Sequence, residues 1–158
     1  MSFDFSATTD WSYDELAAIA AQLIADEPDR VANAANLSAL VYHGVPQLNW
    51  VGFYFYDGTE LVVGPFQGKP ACVRIPLDRG VCGAAAKTRT TQRVADVHEV
   101  ADHIACDAES RSELVIPLVV DDRLIGVFDL DSPVPNRFGD EDQCGLESIA
   151  RLFVASLG

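Results

Sequence analysis

The sequence predicts an α+β domain built on one central antiparallel sheet, and three observations carry that reading. Two stretches alternate aromatic or β-branched residues about a tight turn, the pattern of a hairpin. Apolar stripes at helical spacing stand at both ends of the chain. Paired strands bracketed by helices then fit a simple layering, with the N- and C-terminal helices packed together on one face of the sheet. The mixed middle of the chain covers part of the other face and leaves a ligand pocket there.

Size and composition agree with that architecture. The chain of 158 residues, 49% of them apolar, is long enough to bury a sizeable core and fits a single domain spanning 1–158. It contains no internal repeat, no low-complexity run and no linker rich in proline, glycine or serine. The N-terminus lacks the charged and apolar regions of a signal peptide, and no apolar run approaches the ~20 residues that span a bilayer. These features predict a soluble cytoplasmic protein with no membrane partner. The formal net charge of −13 repels phosphate backbones and argues against nucleic acid as a partner.

The elements follow in order. Ser12 and Glu15 form a capping box that opens a helix with the stripe Leu16, Ile19, Ala20, Leu23 and Ile24. A second helix runs from about Arg30 to His43; Val31, Ala34, Leu37, Ala39 and Val41 give it a close-packing face, and Gly44 is its C-terminal cap. The first hairpin turns at Asp57-Gly58 within NWVGFYFYDGTELVVGPF. Trp50, Gly52, Tyr54 and Tyr56 share one face of its leading strand; Val51, Phe53 and Phe55 share the other. Trp50 and Tyr54 are either core packing or the wall of a cavity, with Gly52 leaving room between the rings, and periodicity does not decide between these.

Short elements come next: a strand over Val73–Leu77, a helix over Gly83–Thr88 and a strand over Thr91–Val97. Cys72 and Cys82 fall among glycines and prolines, on connections that could carry a thiol to a partner. The second hairpin, ELVIPLVVDDRLIGVFDLDSP, turns at Asp121-Asp122. Its return strand presents Asp129 and Asp131 on one face beside Val127. Carboxylates there are costly unless they meet a cation, a proton or hydrogen bonds, or unless the strand end has reached solvent. Asp140 with Gln143 caps a final helix with the stripe Leu146, Ile149, Ala150, Phe153 and Leu157, and Cys144 lies off that stripe as a bystander.

Chemistry is expected in DHIACDAESRSELVIP, residues 102–117, where a polar loop carrying Cys106 runs into an apolar strand with Glu113 at the junction. The plainer alternative for Cys106 is an ordinary small buried apolar residue, which this stretch alone favours less than chemistry. The other cysteines and the downstream carboxylates argue for more. No C-x-x-C pair is present and the histidines lack metal-ligand spacings, so no metal site is expected. The basic residues near Cys106 in sequence are His103 and Arg111, and His103 reads as a plain surface residue.

The segments LNWVGFYFY, GPFQGKPACVRIPLDRGVCG, HIACDAESRSELVIPL and GVFDLDSP closely resemble the free methionine-(R)-sulfoxide reductases, a single-domain branch of the GAF fold. The resemblance implies Cys106 as nucleophile and Cys82 and Cys72 as candidate resolving thiols. It implies Glu113, Asp129 and Asp131 as substrate-binding carboxylates, and Trp50 and Tyr54 as aromatic pocket walls. Free methionine-(R)-sulfoxide as substrate and a homodimer follow from it too; the disulfide cycle it implies suits thioredoxin as reductant and needs no metal and no organic cofactor.

The residue types suit that chemistry on their own terms. A thiolate attacks sulfur while a carboxylic acid, kept neutral by burial or like charge, donates to the departing oxygen. Sulfenic acid then condenses with a second thiol, and a dithiol donor reduces the disulfide. Two other readings compete: a ligand-sensing GAF module, and a thiol-based redox sensor or peroxidase. The first leaves the cysteines without a purpose, and the second leaves the carboxylates and Trp50 without one.

Overall fold

Alternation along the strands sorts their side chains into two separate cores, one on each face of the sheet. The structure, a computed structural model, describes residues 11–103 and 107–158. Six strands lie in the order β3-β2-β1-β6-β5-β4, antiparallel throughout. They are β1 (Trp50–Tyr56), β2 (Glu60–Gly68), β3 (Arg74–Pro76), β4 (Gln92–Val94), β5 (Ser112–Val120) and β6 (Arg123–Ser132). The helices are α1 (Tyr13–Leu23), α2 (Arg30–Gly44), α3 (Gly80–Thr88) and α4 (Asp140–Ser156). The expected α+β class with a central antiparallel sheet is borne out.

One face packs against α1, α2 and α4. Val51 and Phe53 of β1, Leu114 and Ile116 of β5, and Phe128 and Leu130 of β6 meet Leu16, Leu37 and Ile149 there. The Phe53 ring lies 4.7 Å from Phe128 and 4.6 Å from Phe153, centroid to centroid. All three are fully buried. Each such side chain is worth about 1.5–3 kcal/mol relative to exposure, so this contact anchors α4 to the sheet. The other face carries Trp50, Tyr54, Val115 and Val127, covered by Val81, Cys82 and Ala85 of α3.

Local signals account for most boundaries. Ser12 and Glu15 form the expected capping box, with Ser12 N donating to Glu15 Oε2 at 2.8 Å. Asp57 Oδ1 accepts from the backbone of Thr59 and Glu60 and closes the first hairpin. Asp121 and Asp122 both have positive φ, 48° and 62°, matching the twist of a two-residue hairpin turn.

Several expectations are corrected. Gly44 is the last residue of α2 rather than its cap, and a Cβ there would come within 2.9 Å of Leu16, so the glycine serves helix packing. Val31 faces solvent, and Leu40 takes its place in the core. The cap of α4 is Gly139, whose N–H donates to Asp142 Oδ2 at 2.8 Å. The helix expected from Gly83 begins at Gly80, and Val97 opens a short 3-10 turn (Val97–Glu99) instead of ending β4.

Candidate active site

Strand register assembles the acidic cluster from residues far apart in the chain. Asp131 of β6 stands opposite Trp50 on β1 and opposite Glu113 on β5. Asp129 stands opposite Gly52 and Val115, two residues along the same face. Glu113, Asp129 and Asp131 therefore share the face that α3 covers, where Cys82 comes down onto them. The Cys82 Sγ lies 3.8 Å from Glu113 Oε1. One donor atom each from Cys82, Glu113 and Asp129 all fall within 4.8 Å of one another.

A pocket opens over this cluster, with about 520 Å³ of empty space counting its mouth. Trp50, Tyr54 and Ile75 form apolar walls; Lys69, Pro70 and Ala71 form one rim, and His103, Asp107 and Ser110 another. Trp50 and Tyr54 are thus both buried residues and pocket walls. Trp50 stacks between Tyr54 and Phe66, at 5.8 and 5.1 Å between centroids. Its indole N–H donates to the Lys69 carbonyl, and the Tyr54 hydroxyl donates to the Cys72 carbonyl. Both bonds tie the wall to the loop after β2. The room at Gly52 belongs to this stack and not to a ligand: a Cβ there would meet Phe66 Cβ at 2.3 Å and the Trp50 ring at 2.7 Å.

Helix α3 presents its N-terminus to the pocket through Gly80 and Val81. The N-cap residue, Arg79, makes no side-chain cap bond, so the first-turn N–H groups lack the usual internal acceptor. Gly80 enters the helix with φ of 69°. A Cβ on Gly83 would sit 2.6 Å from the Pro76 carbonyl, so the glycine lets α3 lie close against the preceding turn.

Burial and mutual repulsion dominate the electrostatics. Burial first, and then the Asp131 charge, push the Glu113 carboxyl up to about 8. Burial followed by Glu113 raises Asp129 well above the carboxylate range, and burial followed by Asp129 and Asp107 does the same for Asp131. The Cys82 thiol is pushed up by burial and then by Asp129, Glu113 and Asp131, so it is a poor thiolate. Among the described residues, Glu113 Oε2 and Asp129 Oδ1 are buried without a hydrogen-bond partner.

The sequence-predicted residues divide clearly. Trp50, Tyr54, Cys82, Glu113, Asp129 and Asp131 all line this one pocket. Cys72 lies beside it, half-buried and packed against the same apolar cluster. Cys106 lies outside the described residues, between His103 and Asp107, which both line the pocket. Cys82 is corrected from a connection to the first turn of α3. His103 is corrected from surface to pocket: its side chain is largely buried and its Nε2 is 3.4 Å from Glu113 Oε2. Burial lowers its pKa, so the ring is neutral at pH 7. Arg111 instead pairs with Asp96 at 2.9 Å. Cys144 is exposed on α4 in a separate crevice with Tyr13 and Ser148.

Sequence reading missed Asn49, which holds the far rim by donating to Asp107 Oδ2 at 3.2 Å and Ser110 Oγ at 3.1 Å. It also missed Lys69, whose ammonium reaches Glu109 at 3.4 Å across the mouth. Position gave a hint only for Asp107, the neighbour of Cys106.

The fold and this pocket define a GAF domain, and the GAF domain family model matches residues 20–157. The free methionine-R-sulfoxide reductase of Escherichia coli is 54% identical over 127 residues, covering 80% of this chain and 77% of that protein. The Saccharomyces cerevisiae enzyme of the same name is 43% identical over 77% of this chain and 72% of its own length. The X-ray structure of free methionine-R-sulfoxide reductase from Neisseria meningitidis in complex with its substrate has a TM-score of 0.91 at 42% identity, covering 99% of this chain and 95% of that one. The chain belongs to the free methionine-R-sulfoxide reductase family.

Proposed function

We propose that the chain reduces free methionine-(R)-sulfoxide to methionine, with Cys106 as nucleophile. The observation that carries this is the density of buried acid, three carboxyls around one pocket, with oxygens on Glu113 and Asp129 that no described residue hydrogen-bonds. A neutral sulfoxide group alone does not compensate for such a site, whereas an amino acid's ammonium does. Relatives bearing the name free methionine-R-sulfoxide reductase, one solved with its substrate, support the same reading.

The ammonium, on binding, favours ionisation of Asp129 and Asp131, which burial otherwise keeps protonated, and is held by them. The α-carboxylate faces the open N–H groups at the start of α3, where the helix dipole favours an anion. Trp50 and Tyr54 flank the side chain. Glu113, protonated at neutral pH, donates its proton toward the sulfoxide oxygen as the Cys106 thiolate attacks sulfur. Attack joins the Cys106 sulfur to the substrate sulfur; the hydroxyl then moves to Cys106 as that S–S bond breaks, methionine leaving with the electron pair as its sulfur lone pair and Cys106 left as sulfenic acid.

Condensation with a second thiol releases water and forms a disulfide. Cys72 suits this step better than Cys82. It is half-buried on the connection before β3, within reach of a reductant, whereas Cys82 is buried in a packed helix with a raised pKa. Thioredoxin, with a couple near about −270 mV, supplies the two electrons that restore both thiols.

The test is NADPH-coupled turnover with thioredoxin and its reductase, comparing free methionine-(R)-sulfoxide with hydrogen peroxide. Rapid turnover of the sulfoxide and little of the peroxide is expected. The reverse order would favour a thiol peroxidase, and binding without turnover would favour a ligand sensor.

A further inference from the structure

Cys82 has no part in the reaction above, although its sulfur sits against the acidic cluster. It is 4% exposed, and Glu113 and Asp129 are each 5% exposed. The three reach one point from separate elements: α3, β5 and β6. That dispersion explains why no ligand-spacing motif appears in the sequence. Their donor atoms lie within 4.8 Å of one another, and Cys82 Sγ and Glu113 Oε1 are 3.8 Å apart. A tetrahedral ion with bonds of 2.0–2.3 Å needs donors roughly 3.3–3.7 Å apart, a contraction that side-chain rotation supplies. Among the described residues Glu113 Oε2, which His103 Nε2 approaches to 3.4 Å, and Asp129 Oδ1 are each buried with no hydrogen bond, so the site has acceptor capacity that these residues do not fill.

We propose that Cys82, Glu113 and Asp129 form a three-donor site for a thiophilic divalent cation such as Zn²⁺, binding in the substrate pocket and excluding the substrate. One thiolate and two carboxylates suit zinc or cobalt, while magnesium and calcium avoid sulfur ligands. The remaining coordination position faces the pocket, where water completes the shell. Binding releases to solvent the Cys82 thiol proton and the protons that burial keeps on Glu113 and Asp129, and leaves the oxidation state of every group unchanged. The ion neutralises the charge that the substrate's ammonium otherwise meets, so metal and substrate compete. That competition rests on the functional reading above; the metal site itself does not.

The experiment titrates the reduced full chain with Co²⁺ and reads the near-ultraviolet thiolate-to-cobalt absorption. One equivalent is expected to produce the band, and Zn²⁺ to abolish it by displacement. Mg²⁺ and Ca²⁺ at the same concentration should leave it unchanged. The band is lost in Cys82→Ser and kept in Cys144→Ser, and Zn²⁺ affinity falls at least about tenfold in Asp129→Asn. Zn²⁺ raises the apparent KM for the free sulfoxide and leaves kcat unchanged. Absence of the band in the wild-type chain overturns the site, as does full retention of both band and affinity in Cys82→Ser and Asp129→Asn. Turnover of the sulfoxide without uptake of Co²⁺ sinks the metal site alone. Uptake without turnover sinks the functional reading and leaves the metal site standing.

Discussion

His103 Nε2 stands 3.4 Å from Glu113 Oε2, with both side chains largely withdrawn from solvent. Burial disfavours the charged form of each, so at neutral pH they meet as neutral imidazole and carboxylic acid. This arrangement keeps an acid available beside a pocket that also needs ionised carboxylates.

The raised Glu113 pKa gives a pH signature. The acid is present below about 8 and is lost as pH rises through that value, so kcat/KM should fall on the alkaline side. The sign for stability is the same. A carboxyl whose folded pKa exceeds its unfolded value stabilises the fold at acid pH, and that contribution declines from about pH 4.5 to about 8. Glu113→Gln should therefore raise Tm above pH 8, reflecting a stability gain of at most about 5 kcal/mol, while lowering activity. A Tm that rises with pH across this window in the wild type, and not in the variant, would contradict it.

The thiol assignments predict distinct variant behaviour. Cys106→Ser should abolish turnover, and Cys144→Ser should leave it within about twofold, because Cys144 is exposed on α4 away from the pocket. Substrate added without reductant should yield a Cys106–Cys72 disulfide by peptide mapping. Pairing of Cys106 with Cys82 alone would transfer the resolving role to α3, and pairing with Cys144 alone would remove the basis of the proposed cycle.

Gly52→Ala should disturb the pocket wall without adding or removing charge. The new methyl meets Phe66 Cβ at 2.3 Å and the Trp50 ring at 2.7 Å, so the stack must shift. A loss of about 1–3 kcal/mol in stability and a raised KM are expected. Unchanged thermal unfolding together with unchanged KM would mean that Trp50 is not held by this contact.

Much of the fold was legible because its signals are local. The Ser12 capping box, the Asp57-Gly58 turn and the positive-φ pair Asp121-Asp122 lie within a few residues of what they specify. Alternation likewise put Trp50 and Tyr54 on one strand face and Asp129 and Asp131 on another. What the residues could not tell was that those faces coincide. That depends on β1 pairing with β6, a contact between positions some eighty apart. The same limit hid His103, which meets Glu113 of another element, and Cys82, which α3 carries down onto the acids. The choice between solvent and burial for Asp129 falls to burial for this tertiary reason.

The central claim is that the buried carboxylates read a substrate ammonium, and the direct measurement is kcat/KM for free against N-acetylated methionine-(R)-sulfoxide. The acetyl group turns the ammonium into a neutral amide and leaves the sulfoxide unaltered. A charge-assisted hydrogen bond is worth about 1.5–3 kcal/mol, and a buried carboxylate left unpaired costs more. The free amino acid should therefore be preferred by roughly a hundredfold or more, with the preference shrinking in Asp129→Asn and Asp131→Asn. Comparable kcat/KM for the two substrates in the wild-type chain would contradict the account.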